Sequence, residues 1–408
     1  MIYQYHHGHS GRPGGIVLDQ VKSHVPGWAV PLSRPDIGEE GIAAVVDCLR
    51  SGWLTSGPKV KAFEADFARF MGLGVHAVAT NSNTTGLELA LQALGIGPGD
   101  EVITTTNTFI ATALSIVHAG ATPVLVDIDP VTLAIDPVQV QAAVTPRTKA
   151  ILPVHIAGLA CDMGAISAIA RGHGLKVIED AAHSLPTTFR NRLIGDHTSD
   201  ATVFSFYASK TITTGEGGMV TTADPDVARQ MRLLRLHGID KDIFDRGGDR
   251  QRPWLYDVVA PGHKANMPDI AAAIGIEQLK KVWEFHERRV AIARRYHEAF
   301  ADLPLLLPAD APAGDRHAWH LYIVRLHREA PLERDEFIAR MAQSSIQCSV
   351  HFIPLHRHTY WQQRFGDDAG RFPRANDAFA HSVSLPLFSA MSDGEVDYVI
   401  AAVRRLLT

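Results

Sequence analysis

The stretch "SFYASKTITTGEGGMV", residues 205–220, sets a single lysine, Lys210, between a strand-like aromatic run and a knot of threonines and glycines. Lysine favours solvent, so such surroundings give it a task or leave it as decoration. A lysine held in a partly desolvated cleft loses proton affinity and becomes a usable amine nucleophile. Ser205, at the end of the strand, can donate to a phosphate, while Thr213, Thr214, Gly215, Glu216, Gly217 and Gly218 predict a turn whose backbone passes close to a ligand.

Outward from this point the chain alternates strands and helices. "VHAVAT" runs into a helix with Leu87, Leu91 and Leu94 at helical spacing, followed by "EVITTT", the helical "FIATALSIVHAG", "TPVLVDI", and a helix opened by Asp136 and Pro137. "AILPVHI", "AISAIARGHG", "LKVIED", "ATVFSF" and "GGMVTT" continue the series. This order predicts an α/β fold, a mostly parallel sheet covered on both faces, with ligands at the carboxyl ends of its strands. Ahead of it, "PDIGEEGIAAVVDCLRSGWLTSGPKVKAFEADFARFMG" reads as two helices joined by a turn. Beyond residue 281 the pattern changes to a long Arg-rich helix, then "WHLYIVRL", "IQCSVHF" and a terminal helix, a smaller α+β domain. The expected division is a flexible tail over 1–30, a large domain over 31–280 and a small one over 281–408.

Two more strand ends carry chemistry. In "TNSNTTG", Asn83, Thr84, Thr85 and Gly86 open a helix, an arrangement that serves a phosphate or an ordinary N-cap equally well. Asp180 in "VIEDAAHS" follows an apolar strand, where an unpaired carboxylate is costly, so it needs a cation. A salt-bridging role satisfies that need, and so does a protonated ring nitrogen. Phosphate cradle, carboxylate and amine on one sheet edge together suit pyridoxal 5'-phosphate, which carries a phosphate, a basic ring nitrogen and an aldehyde. "GLGVHA", 72–77, matches a dinucleotide fingerprint but precedes its strand instead of following one.

Over nearly its whole length, from "RPDIGEEGIAAVVDCLRSGWLTSGPKV" through "EDAAHS", "FSFYASKTITTGEGG" and "HAWHLYIVRL" to "SLPLFS", the chain resembles the DegT/DnrJ/EryC1/StrS family of sugar aminotransferases, fold type I enzymes of pyridoxal phosphate. The resemblance implies that Lys210 bonds the cofactor's aldehyde and shuttles the proton, that Asp180 pairs with the ring nitrogen, and that His183 reaches the ring hydroxyl. It further implies that Phe109 and Ala182 cover the two ring faces and that Asn83, Thr84 and Ser205 lie at the cofactor, the last two on its phosphate. Asn266 matches an asparagine lent by a partner subunit, which implies a homodimer with a shared site. The loop with Thr55, Ser56 and Gly57, the segment with His351, Pro354 and His356, and His320 are expected around the sugar nucleotide.

By the same resemblance the reaction is ping-pong, with glutamate as donor and the C4 keto group of a nucleotide-linked sugar as acceptor. The lysine argues against the family's histidine-bearing dehydratases, and "EDAAH" favours C4 over C3. The likeness is strong to members that aminate a 4-keto pentose of UDP in lipid A modification, so lipopolysaccharide synthesis is the expected setting. A cofactor-binding regulator without catalysis is the alternative, although no helix-turn-helix extension or basic arm is visible.

Composition is consistent with this. A net charge of −5 and Lys plus Arg outnumbered by Asp plus Glu, 39 to 44, give no basis for nucleic-acid binding. Three scattered cysteines, Cys48, Cys161 and Cys348, argue for a reducing compartment, and with neither a membrane-length apolar run nor a signal-like start the expectation is cytoplasmic. Cys348 reads as a structural thiol. No metal is expected: His6, His7 and His9 sit in a Gly/Pro/Ser-rich stretch, and His351, His356 and His358 lack zinc-type spacing. His317 and His320 are expected to brace the small domain or touch substrate, and "HERRVAIARRYHEAF" to present a solvated face.

Overall fold

The computed structural model describes residues 27–196, 198–240, 254–366 and 369–408. The triplet His6, His7 and His9 lies outside the described residues.

Helices α1 (Glu39–Ser51) and α2 (Pro58–Met71) come first, with Pro58 at the first turn of α2. The series then runs β1 (His76–Thr80), α3 (Asn83–Ala93), β2 (Glu101–Thr105), α4 (Ile110–His118), β3 (Thr122–Val126), α5 (Pro137–Ala143), β4 (Thr148–Leu152), α6 (Met163–His173) and β5 (Lys176–Asp180). A two-residue hairpin, β6 (Thr188–Phe189) and β7 (Arg192–Leu193), precedes β8 (Ala201–Ser205), β9 (Gly218–Thr222) and α7 (Pro225–Leu234). Side-chain oxygens of Asp136, Asp162 and Asp224 accept the first amides of α5, α6 and α7, which is why those helices start where they do.

Among the described residues seven strands form one sheet in the order β1-β9-β8-β5-β4-β2-β3. Five of them, β8 through β3 in that order, are parallel, and β2 and β9 are buried at every position, as a sheet covered on both faces requires. One strand departs from the parallel expectation. β9 runs antiparallel to both neighbours, Ser205 facing Gly218, the chain turning back through residues 206–217 with no crossover helix. The Lys210 segment is therefore a hairpin connection folded over the strand ends.

After α8 (Asp269–Lys280), helix α9 (Val282–Phe300) joins two cores. Its Val282 and Phe285 pack into the large core under the sheet, whereas Ile292, Tyr296 and Phe300 belong to a second core. That second core is built on an antiparallel sheet of β10 (Leu305–Leu306), β11 (Tyr322–Leu326) and β12 (Ser382–Leu385), with α10 (Arg334–Gln343), α11 (Thr359–Phe365), α12 (Pro373–His381) and α13 (Asp393–Leu407) around it.

Three details differ from the sequence reading. Val30 is fully buried in the second core and, with Ala29, donates its amide to Ser345, so the end of the expected tail is anchored. "IQCSVHF" is not a strand; Ile346 and Ser349 make isolated bridges to Val30 and Ser384. The charged face of α9 is not wholly solvated. Arg289 is fully buried, donating from Nη1 to the carbonyls of Trp319, His320 and Leu387 at 3.1, 3.3 and 3.1 Å. Among the described residues no helix is long and apolar enough to cross a membrane.

Candidate active site

A cavity of about 480 Å³ opens at the carboxyl ends of β1, β5 and β8. Asn83, Thr84, Phe109, Asp180, Ala182, His183, Ser205, Lys210, His320 and His351, far apart in sequence, all line it.

Asp180 ends β5 and is buried. Its oxygens accept from Thr112 Oγ1 at 2.8 Å, the Ala182 amide at 3.1 Å and Asn83 Nδ2 at 3.3 Å. Burial pushes this carboxyl above its usual range, against the pull of those three donors and of the Lys210 charge. Three neutral donors orient a carboxylate without neutralising it. The position suits a cationic ring N–H: the pocket holds a buried, oriented carboxyl that lacks an ion-pair partner among the described residues, and a cation beside it would favour its charged form.

Lys210 lies half-buried in the β8–β9 connection, its amide bonded to the Tyr207 carbonyl. Burial lowers its amine from 10.5 to about 8, with Asp180 opposing the shift. Such an amine is partly neutral near physiological pH and can attack a carbonyl. His183 accepts the Ala157 amide on Nδ1 at 3.2 Å, which leaves Nε2 as its donor, and burial holds the ring neutral, far below its ordinary value. His320 packs on it, ring centroids 4.3 Å apart.

At α3 the outward surface is narrower than the sequence suggested. Ser82 is the N-cap, accepting the Thr85 amide at 3.2 Å, and also lines the cavity. The Asn83 side chain turns inward to Asp180 and the Val203 carbonyl, the Thr85 hydroxyl turns back to Asn81 Oδ1 at 2.7 Å, and Gly86 lies against Val203 and Val220. Ser82, Asn83, Thr84 and Ser205 line the cavity beside the N-terminus of α3, an arrangement that suits a phosphate.

Phe109, 55 % exposed, reaches over the cavity toward Phe352, ring centroids 5.8 Å apart. Other expected residues are elsewhere. His356 is buried, Nδ1 against Thr106 Oγ1 at 2.8 Å and Nε2 against Asn376 Oδ1 at 3.0 Å, so it braces the wall and does not line it. Pro354 is buried beside it. Asn266 donates to Ser56 Oγ at 2.6 Å, and Gly57 donates its amide to Asp269; with Thr55 these form a cluster outside the cavity of this chain. His317 stacks on Trp319 at 3.9 Å and braces the small domain. Cys348 is half-buried, its thiol pushed up to about 12 by burial, which makes it a poor nucleophile.

Sequence reasoning missed Ser82, Thr112, Tyr207, Ser209 and Phe352, all cavity residues. Thr112 had a usable signal, since it lies three residues after Phe109, one helical turn into α4.

A lysine and a buried aspartate lining one cavity, with the N-terminus of a helix beside them at the ends of a mixed α/β sheet, fit an enzyme of pyridoxal phosphate, and the family of the chain narrows the class to the aminotransferases. Residues 35–404 match the DegT/DnrJ/EryC1/StrS aminotransferase family, and the chain belongs to it. It is 50% identical over 380 residues to the spore coat polysaccharide biosynthesis protein SpsC of Bacillus subtilis, covering 93% of this chain and 97% of that one. Among solved structures, the putative sugar aminotransferase Spr1654 from Streptococcus pneumoniae in its PMP-form superposes with a TM-score of 0.86 at 35% identity, covering 92% of this chain and 98% of that one. DesV of S. venezuelae, in complex with a ketimine intermediate, does so at 0.81 and 36%, covering 90% and 94%.

Proposed function

We propose that this sugar aminotransferase moves the amino group of glutamate to the C4 keto group of a nucleotide-linked 4-keto sugar, in two half-reactions that share one site. The observation that carries this reading is the juxtaposition of Lys210, Asp180 and His183 around a single cavity. Pyridoxal phosphate, when bound, supplies the aldehyde that takes up the amino group and a ring that stores the electron pair of the deprotonated carbon.

The chain's own residues do the rest. Asp180 holds the ring nitrogen in its protonated state. His183 donates from Nε2 to the ring oxygen, and Phe109 and Ala182 confine the ring from its two faces. Thr84, Ser82 and Ser205 hold the phosphate against the N-terminus of α3. Lys210, its amine pushed down to about 8 by burial, would hold the cofactor through its aldehyde and would serve as the acid–base group that moves the proton. His320 and His351, both held neutral by burial, are hydrogen-bonding groups for the sugar or the donor.

The cluster of Thr55, Ser56, Gly57 and Asn266, outside the cavity of its own chain, fits a homodimer in which Asn266 of the partner subunit reaches the phosphate. The similarity to a spore coat polysaccharide protein supports a surface polysaccharide as the destination, of which lipopolysaccharide is one kind.

The test is incubation with glutamate and a panel of UDP-, dTDP- and GDP-linked 4-keto and 3-keto sugars, with mass spectrometry for 2-oxoglutarate and amino sugar. Product from 4-keto sugars alone is expected. Product only from 3-keto sugars moves the assignment to C3, and none from any sugar overturns it.

A further inference from the structure

Pro153 sits where β4 meets β5. Ile151 pairs with Val177 and Val154 with Asp180 in one register, but the ladder is interrupted between them, as a residue without an N–H dictates. Just beyond the gap the backbone of Asp180 is held again by the two bonds of the Val154 bridge, its amide donating to the Pro153 carbonyl at 2.9 Å and its carbonyl accepting from the His155 amide at 3.2 Å. Across the same gap, on the sheet face opposite the Asp180 side chain, two fully buried groups meet: His155 Nε2 lies 2.8 Å from Glu179 Oε2.

Both partners are otherwise satisfied. The Cys161 amide donates to His155 Nδ1 at 3.1 Å, which puts the ring proton on Nε2, and Thr202 Oγ1, on the next strand β8, donates to Glu179 Oε1 at 2.9 Å. Burial pushes the Glu179 carboxyl up, but the bond to His155 and the Thr202 hydroxyl outweigh it and hold the group below its usual range. A carboxylate so deep in a sheet is costly, and an apolar residue would fill the space at lower cost. Nothing in the transfer described above uses this pair.

We propose that His155 and Glu179 are positioning residues: their side-chain bond, with Thr202, ties β4, β5 and β8 together where Pro153 breaks the ladder, and so fixes the angle at which Asp180 meets the ring nitrogen of the cofactor. The proposal rests on the reading that Asp180 faces that nitrogen. His155 thereby acts on the reaction through Asp180 and touches neither cofactor nor substrate.

The experiment compares wild type, His155→Leu and His155→Gln, since the glutamine amide reproduces the Nε2–H donor. Cofactor-free protein is titrated with pyridoxal phosphate by tryptophan fluorescence, and the visible absorbance of the bound form is followed against pH. In folded His155→Leu, cofactor affinity is expected to fall about tenfold, the loss of one hydrogen bond to a buried charge, with a displaced absorbance–pH curve. His155→Gln is expected to restore most of both. Should His155→Leu not fold, Thr202→Val carries the test, with an expected loss of about threefold or more. Wild-type affinity and a superimposable pH curve in the folded variant overturn the proposal even if its melting temperature drops. Failure of the wild type to bind the cofactor at all overturns instead the reading of the site.

Discussion

Thr112, one turn into α4, donates its hydroxyl to Asp180 Oδ2 at 2.8 Å, and the same hydroxyl lies 2.8 Å from Thr108 Oγ1. The threonine pair holds one carboxylate oxygen while Asn83 and the Ala182 amide hold the other. Thr112→Val preserves shape but removes the donor. The expected result is a weakening of pyridoxal phosphate binding by about 1.5–3 kcal/mol, the range for a hydrogen bond to a charged group. Thr112→Ser should retain most of the affinity, measured by equilibrium dialysis.

Lys210 gives a pH prediction with a definite sign. In the cofactor-free protein its amine titrates near 8, against 10.5 ordinarily. Between those values the unfolded chain binds the extra proton, so the contribution of this group to stability rises with pH across the window. Urea denaturation of the cofactor-free protein should show this rise relative to Lys210→Met, and equal pH slopes for the two proteins would refute it. Covalent capture of the cofactor, trapped by borohydride, should slow as pH falls below about 8, because only the neutral amine attacks.

Replacing Lys210 by alanine removes the proton shuttle altogether. Turnover should drop by about 100- to 10,000-fold or more while the cofactor is still bound, the span expected for loss of a general acid–base group. Single-turnover assays with glutamate measure it.

Gly218 faces Ser205 in the β8–β9 pair, and a Cβ there would come within 2.6 Å of the Ser82 carbonyl and 2.7 Å of the Asn83 amide. These are backbone atoms of the α3 cap and have little room to yield. Gly218→Ala should cost about 1–3 kcal/mol of stability and also weaken binding of inorganic phosphate by moving the cap away from its seat. Denaturation and phosphate protection against cofactor binding report the two effects.

Arg289 is the fifth case. It gathers the carbonyls of Trp319, His320 and Leu387, and both His320 and Leu387 line the cavity. Arg289→Ala should destabilise by about 2–4 kcal/mol, because three carbonyls lose a charged donor. Arg289→Lys keeps the charge but not the planar fork and should recover only part. Chemical denaturation and kcat/KM together check this.

The amino-acid sequence by itself determined the alternation of strands and helices and the position of Asp180 at the end of a strand and of Lys210 in the turn that follows one, because hydrophobic period, caps and turn residues are local in the chain; its motifs also carried the likeness to one aminotransferase family. The tertiary structure decided the rest. It showed β9 antiparallel, Arg289 inside and not in solvent, His356 behind the wall, and Asn83 turned toward Asp180. Each depends on what a distant segment brings into contact: Asn83 and Thr112 meet Asp180 only after three βα units have folded onto one sheet. Residue type and spacing carry no information about such neighbours, since a side chain's charge state and direction are set by the groups packed against it.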